Sequence, residues 1–417
     1  MNTRFKQIYL AATIAAILLI TTGTKSQSQG FEGYYRYPDV HGNTVAFVAE
    51  GDIWTVPLEG GLARRLTTHP EEELYPRISP DGKTIVYSAD YEGPTEIYTI
   101  PVTGGLPTRW TYESDFSFTN GWTPDGKIVY DTRAYSSLPE RQLVTINLSS
   151  GKKERVPLSQ GSEASYDDKG STVYFVRPAY HGNVTKRYEG GTARQIWKFT
   201  TGTPEAVKLT TDNPGESFNP MWFGGRVYFI TGRDGVMNIW SMDETGSDLR
   251  QHTFHRDFDV RYAGISDGNI VYQLGADIWN YNTISNKTAK IDIRLASDLD
   301  QLREKWVENP ASYITSVNPD KKGERIVITA RGRVFVAPVK SGRFVEFSDK
   351  KNVRYRDAIF SADGEKVFVL SDESGEFEFI GLPSDGIGPR NQLRAMVKYS
   401  VLGRASPDGR WPAHITI

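Results

Sequence analysis

Short apolar runs rich in β-branched and aromatic residues alternate along most of this chain with clusters of Gly, Asp, Pro and Ser. Such runs read as strands, and the clusters between them as turns. The pattern repeats. Val45-Ala46-Phe47-Val48, Asp52-Ile53-Trp54-Thr55-Val56, Gly60-Gly61 and Arg64-Arg65-Leu66-Thr67 return as Ser79-Pro80-Asp81-Gly82, Thr84-Ile85-Val86-Tyr87, Glu96-Ile97-Tyr98-Thr99-Ile100 and Gly104-Gly105. A third copy runs from Thr123-Pro124-Asp125-Gly126 through Ile128-Val129-Tyr130 to Leu143-Val144-Thr145-Ile146. Tyr174-Phe175-Val176 with Ile196-Trp197, Val227-Tyr228-Phe229-Ile230 with Ile239-Trp240, and Ile270-Val271-Tyr272 with Ile278-Trp279 mark three more. In the x-Pro-Asp-Gly-x stretches, Pro fixes φ, Asp bonds its own backbone and Gly takes positive φ, so each is a tight hairpin.

A period of roughly 40–50 residues with several strands and no helical segment gives one antiparallel sheet of about four strands per repeat. One sheet cannot bury both its faces, whereas sheets stacked around an axis can, and that arrangement is a β-propeller. The repeated Ile-Trp or Ile-Tyr pair is expected to supply the packing between blades rather than a cofactor site. The predicted fold is all-β: a six-bladed β-propeller over 31–293, a connector over 294–312, and a truncated second β-propeller over 313–417. Within the connector, Leu295, Leu299, Leu302 and Trp306 have helix-like spacing before Pro310, so either a short helix or an extended linker fits. Repeats resume at Ile326-Val327-Ile328 and Val334-Phe335-Val336, again at Ser361-Ala362-Asp363-Gly364 with Val367-Phe368-Val369, and a third opens at Ser406-Pro407-Asp408-Gly409.

The first 30 residues differ from the rest. Arg4 and Lys6 precede an apolar stretch from Ile8 to Ile20, followed by Thr21, Thr22, Gly23, Thr24, Ser26 and Ser28. This is the layout of a signal peptide, cut near residues 24–30, with an uncleaved anchor as the other option. The expected location is periplasmic or secreted, or cytoplasmic if the segment is not used. With 417 residues, 38% of them hydrophobic, there is chain for more than one core. The net charge of -2 provides no field to hold a phosphate backbone, which argues against nucleic acid as a partner. There is no Cys, which excludes disulfides, thiolate metal sites and a Cys nucleophile.

Two stretches stand out: Arg187-Tyr188-Glu189-Gly190-Gly191-Thr192 with Ile196-Trp197, and Val227-Tyr228-Phe229-Ile230, Arg233-Asp234-Gly235, Asn238-Ile239-Trp240, Asp248-Leu249-Arg250 and His252-Thr253. Both resemble the tricorn protease family. The opening Tyr37-Pro38-Asp39-Val40 leading to Asp52-Ile53-Trp54 looks like that family's first blade, and the resemblance extends over about residues 34 to 385. It implies a six-bladed propeller followed by a seven-bladed one. In the family a helical segment, a PDZ-like domain and an α/β domain come next, with the catalytic Ser and His after the propellers. None of those catalytic positions is present here, so the resemblance carries over no catalytic residue.

The residues themselves offer little chemistry. No G-x-S-x-G elbow occurs, and none of the histidines (His41, His69, His181, His252, His255, His414) lies beside a Ser in a recognisable pattern. His252-x-x-His255-x-Asp257-x-Asp259 is the one suggestive metal-ligand cluster. Residues three apart on a strand face opposite sides, so the two imidazoles converge only across a turn, and an interblade loop is the expected reading. Asp81, Asp125 and Asp408 are read as turn formers. No catalytic, metal or cofactor-binding residue is therefore assigned, and no activity is expected from this chain alone. The functional expectation is the non-catalytic propeller portion of a tricorn-like serine-type peptidase that channels or filters peptides. The alternative is a TolB-like binding propeller presenting its loops to a protein partner. Membrane contact is expected only through the N-terminal segment, and oligomerisation stays open.

Overall fold

The computed structural model describes residues 31–179, 187–300, 303–304, 306–347, 350, 352–388, 391–392, 400–405 and 412–416. The N-terminal signal-like segment, His181 and Asp408 lie outside them. The chain divides at 302/303 into two compact units.

The first unit is a ring of six antiparallel sheets. The first sheet is built from Arg36–His41, Thr44–Ala49, Asp52–Pro57 and Gly61–Arg65. The second comprises Glu73–Ile78, Thr84–Ala89, Glu96–Pro101 and Thr108–Arg109; the third, Ser117–Trp122, Ile128–Thr132, Gln142–Ile146 and Lys153–Arg155. The fourth has Ser162–Tyr166, Thr172–Arg177, Gln195–Thr200 and Val207–Lys208; the fifth, Ser217–Phe223, Arg226–Thr231, Asn238–Asp243 and Arg250–Gln251. Val260–Ser266, Asn269–Leu274, Asp277–Asn282 and Lys287–Lys290 form the sixth. This is a six-bladed propeller.

The hairpin signals work as the sequence suggests. At the second sheet, Ser79 Oγ donates to Asp81 Oδ1 (2.6 Å), which also accepts from Lys83 N (3.1 Å), and Gly82 takes φ 70. Thr123 with Asp125, and Ser361 with Asp363, repeat the arrangement. The hydroxyl bond holds the Asp81, Asp125 and Asp363 carboxyls below the usual range, the state of a turn-forming carboxylate. In the repeated pair, Ile53, Ile97, Ile196, Ile239 and Ile278 are all fully buried, whereas the aromatic partner is buried at Trp54 and Tyr98 and half-buried at Trp197, Trp240 and Trp279. A second device recurs beside four of these five Ile residues. Two residues beyond the short fourth strand stands a Thr whose hydroxyl accepts the Ile amide: Thr67 for Ile53, Thr111 for Ile97, Thr210 for Ile196 and Thr253 for Ile239, at 2.8–3.1 Å. The hydroxyl thereby replaces a ladder partner that the chain removes as it turns toward the next sheet.

Ring closure lies in a place the sequence does not mark. Ile293–Leu295 returns past the sixth sheet and adds to the first as a fifth strand, parallel to Gly61–Arg65, pairing Ile293 with Gly61 and Leu295 with Ala63. Phe31 and Leu295 exchange both backbone bonds (3.1 and 2.9 Å), and Tyr35 donates its hydroxyl to Ile293 O (2.8 Å). Val271 and Ile278 of the sixth sheet pack into one core with Tyr35, Val40 and Phe47 of the first. The contact between these sheets is close at Gly264, where a Cβ would sit 2.2 Å from Asp39 Oδ1.

Of the helix-like spacing after residue 294, Leu302 lies outside the described residues, and Asp300 alone among 295–300 is in 3-10 conformation. Leu295 ends the closing strand, Leu299 adopts φ 54, and one 3-10 turn, Pro310–Tyr313, precedes the next sheet. The second unit contains a four-stranded sheet of Ile314–Pro319, Arg325–Ala330, Arg333–Pro338 and Val345–Glu346. A second sheet follows, of Tyr355–Phe360, Lys366–Ser371, Glu378–Pro383 and Asn391–Gln392, and then a hairpin of Ser400–Ala405 and Pro412–Thr416. The two sheets share a core that includes Val327, Val334, Val336, Tyr355, Val367 and Val369.

Candidate functional site: the channel of the six-sheet ring

Along the axis of the ring runs a cavity of about 740 Å³, lined by the first strand of every one of the six sheets. Each of these strands carries a bulge, between Arg36 and Asp39, Leu74 and Arg77, Thr119 and Gly121, Ser162 and Ser165, Phe218 and Met221, and Arg261 and Ala263. An extra residue in one strand kinks it and re-aims a side chain. Five of the bulges place a non-glycine residue in the left-handed region: Tyr37 (φ 52), Tyr75 (φ 51), Glu163 (φ 50), Asn219 (φ 54) and Tyr262 (φ 41). Asn tolerates that conformation; bulky aromatics rarely adopt it.

The six bulges form two unlike walls. On the third to fifth sheets the polar side chains turn sideways and tie the ring together. Asn120 Oδ1 accepts from Ala164 N (2.8 Å) while its amide donates to Asp131 Oδ2 (2.7 Å). Glu163 Oε2 accepts from Asn219 N (2.8 Å), and Asn219 both accepts from Ala263 N (2.9 Å) and donates to Ala263 O (3.1 Å). Arg194 pairs with Glu163 and with both oxygens of Glu216, all at 3.1 Å, its guanidinium 3.7 Å from the Phe218 ring centroid. Burial works against that charge, but the two carboxylates outweigh it and raise the Arg194 pKa. Arg141 pairs with Asp131 (3.0 Å) and lies over Phe118. Burial raises the Asp131 and Asp39 carboxyls, against the pull of Arg141 and Arg77 respectively.

The wall of sheets six, one and two is aromatic. Tyr37 lies 4.5 Å from Tyr75 and 4.5 Å from Tyr262, ring centroid to centroid, and Tyr75 lies 5.7 Å from Tyr262. Phe118 continues the series 5.9 Å from Tyr75, and Phe116 stacks on Phe118. Burial pushes the Tyr37 phenol up to about 12 with Tyr262 adding to it. Burial, then the two neighbouring phenols, raises that of Tyr75, and the negative charge of Glu163 adds from across the channel.

The histidine cluster singled out in the sequence is separated here. His252 Nδ1 meets Tyr281 OH (2.9 Å) and its Nε2 meets Ser241 Oγ (2.7 Å); His255 Nε2 meets Tyr272 OH (2.9 Å); Asp259 Oδ1 accepts from Met237 N (3.1 Å). No group of three or more His, Asp or Glu close enough to hold a metal occurs among the described residues. Ser241 and His252 touch although no sequence pattern links them. The two meet because the third and fourth strands of the fifth sheet pair Trp240 with Gln251 and Ser241 with Arg250. Ser241 is sealed from solvent, Arg226 donates to its Oγ (3.0 Å), and a phenol occupies the place a triad carboxylate would take. Burial, with Arg226 and Arg250 nearby, pulls the His252 imidazole down to about 4, leaving it neutral near pH 7. The pair is a packing contact within the fifth sheet, tied to the sixth through Tyr281.

Residues 32–287 match the family described as the tricorn protease N-terminal β-propeller domain. The chain belongs to this family. Tricorn protease homolog 1 of Streptomyces coelicolor is 30% identical over 387 residues, covering 90% of this chain and 36% of the relative. The tricorn protease homolog of Saccharolobus solfataricus is 28% identical over 369 residues, covering 83% and 33%. The crystal structure of the tricorn protease superposes with a TM-score of 0.66 at 21% identity, over 92% of this chain and 42% of that one. The chain thus spans about a third of the length of these curated tricorn relatives, and it corresponds to a propeller portion of a tricorn-like protease.

Proposed function

We propose that the six-sheet ring is a passage for peptides serving a tricorn-type peptidase, and that this chain binds peptides without cleaving them. The observation that carries the reading is the axial cavity, which all six first strands line and whose lining includes the bulge residues Tyr75, Asn120, Glu163, Asn219 and Tyr262. A cavity of this size takes an extended peptide segment a few residues long, with walls that offer both apolar and charged surface. We further propose that the N-terminal segment directs export; mass spectrometry of an envelope fraction should find the chain without Met1, and an intact cytosolic Met1 terminus would count against export.

The passage is tested with short peptides carrying a photoreactive benzoylphenylalanine, incubated with the full chain and irradiated. Mass spectrometry should place the adducts on residues of the six first strands. Adducts confined to the outer strands, or none above the level of a scrambled protein control, would remove the reading.

A further inference from the structure

We infer that Tyr37, Tyr75 and Tyr262 form a selective constriction that stacks against aromatic or large apolar side chains of a peptide in the channel; the inference rests on the peptide-passage reading. The three occupy the same bulge position on adjacent sheets and their rings touch. At two other sheets that position holds Glu163 and Asn219, whose polar atoms are spent on the backbone of the neighbouring sheet and on Arg194. The tyrosine side therefore presents ring surface of Tyr75 and Tyr262 to the channel, whereas Glu163 and Asn219 at the equivalent positions are already committed to their neighbours. A bulky aromatic held at φ 41–52 is a costly choice made three times, in a position that Asn fills without strain one wall away. Tyr75 and Tyr262 line the channel, and the buried Tyr37 packs against both rings from behind. The aromatic surface also continues outward: Tyr75 leads to Phe118, and Phe118 to Phe116, which is 48% exposed. An aromatic or long apolar side chain in the channel meets the rings of Tyr75, Phe118 and Tyr262, which offset or edge-on stacking rewards.

The architecture supplies its own control substitution. Asn at the equivalent position of the fifth sheet shows that the bulge accepts Asn, so Tyr75→Asn and Tyr262→Asn remove a ring while keeping the backbone. The probes are fluorescein-labelled octapeptides identical except for a central Phe, Leu, Lys or Gly, titrated onto the full chain by anisotropy, with circular dichroism melts to confirm that each variant is folded. The Phe peptide should bind about fivefold to tenfold more tightly than the Gly peptide. Tyr75→Asn should abolish that preference while leaving Gly-peptide affinity within about twofold, and Tyr262→Asn should act in the same direction. Binding with no preference for Phe or Leu, a stronger preference for Lys, or an equal loss for all peptides in both variants would overturn the constriction and leave the passage intact. No binding of any peptide would overturn both. If Tyr75→Asn fails to fold, the Tyr262→Asn titration decides alone.

Discussion

The second strand of the first sheet and that of the seventh, the first sheet of the second unit (the one opening with Tyr355–Phe360 being the eighth), are nearly as apolar as each other, yet they are buried differently. From Val45 to Ala49 every residue is buried, on both faces of the sheet. In Arg325–Ala330 the pattern alternates: Val327 and Thr329 are buried, Ile326, Ile328 and Ala330 only partly. In the eighth sheet, Val367 to Ser371 are again buried throughout. The sequence pattern reports that a strand exists; how many of its faces are covered depends on the sheets beside it. In the closed ring every sheet has two neighbours, because Ile293–Leu295 brings the sixth against the first.

The sharpest way to test that contrast is to truncate matched aromatics. Phe47 is fully buried between sheets one and six, so Phe47→Ala should cost about 3–5 kcal/mol in urea unfolding of the ring. Phe335, half-buried in the seventh sheet with its ring 5.6 Å from Phe344, should cost less than about 1.5 kcal/mol when changed to Ala. Equal costs would mean that the seventh sheet is as well covered in solution as the first.

A proton distinguishes the two regions next. Glu73, fully buried, opens the second sheet, accepting from Thr67 Oγ1 (2.9 Å) and Tyr91 OH (2.5 Å); Tyr355 opens the eighth sheet, each amide bonding a carbonyl of the preceding sheet's second hairpin turn (Gly51 O and Gly332 O). Burial pushes the Glu73 carboxyl up from 4.5 to about 8, with nearby Asp52 adding to the rise and the two hydroxyls opposing it. The folded ring therefore binds this proton more tightly than the unfolded chain does. The resulting stability is complete below about pH 4.5 and is lost progressively as pH rises to about 8. Melts between pH 5 and 8.5 should show the ring transition falling by about 4 °C or more, and Glu73→Gln should flatten the dependence. An unchanged slope in Glu73→Gln would assign the pH effect elsewhere.

The smallest expected effect concerns closure. Tyr35→Phe removes the bond to Ile293 O and the one its oxygen accepts from Gly33 N (2.9 Å), and should cost about 1 kcal/mol. Amide exchange should speed up at residues 31–35 and 293–295 and stay unchanged in the second unit. Faster exchange across all six sheets would show that closure controls the whole ring.

The repeat, the hairpin turns and the all-β class were legible because local chemistry fixes them: Pro-Asp-Gly sets a turn wherever it falls, and alternating Ile, Val and Tyr make a strand. The site was not legible. Tyr37 and Tyr75 each precede a Pro, as Asn219 does, and that recurrent x-Pro inside a strand was an available sign of a bulge. Nothing local brings Tyr262 to Tyr37, which lie on the last and first sheets and become neighbours only when the ring closes. Ser241 and His252 meet for a similar reason, through strand register rather than sequence spacing. The three-residue strand Ile293–Leu295 was hidden because Ile-Arg-Leu is too short to show a period, and its Leu also suited a helix.

The bonds between Phe31 and Leu295 make the two ends of the ring neighbours in space, so the order in which its sheets are encoded is not a requirement of its architecture. A chain begun at the Pro-Asp-Gly turn of the second or third sheet, with residues 295 and 31 spliced by a few glycines, should close on the same six sheets. Its channel would keep the same walls, and the clasp on the first sheet would become continuous chain.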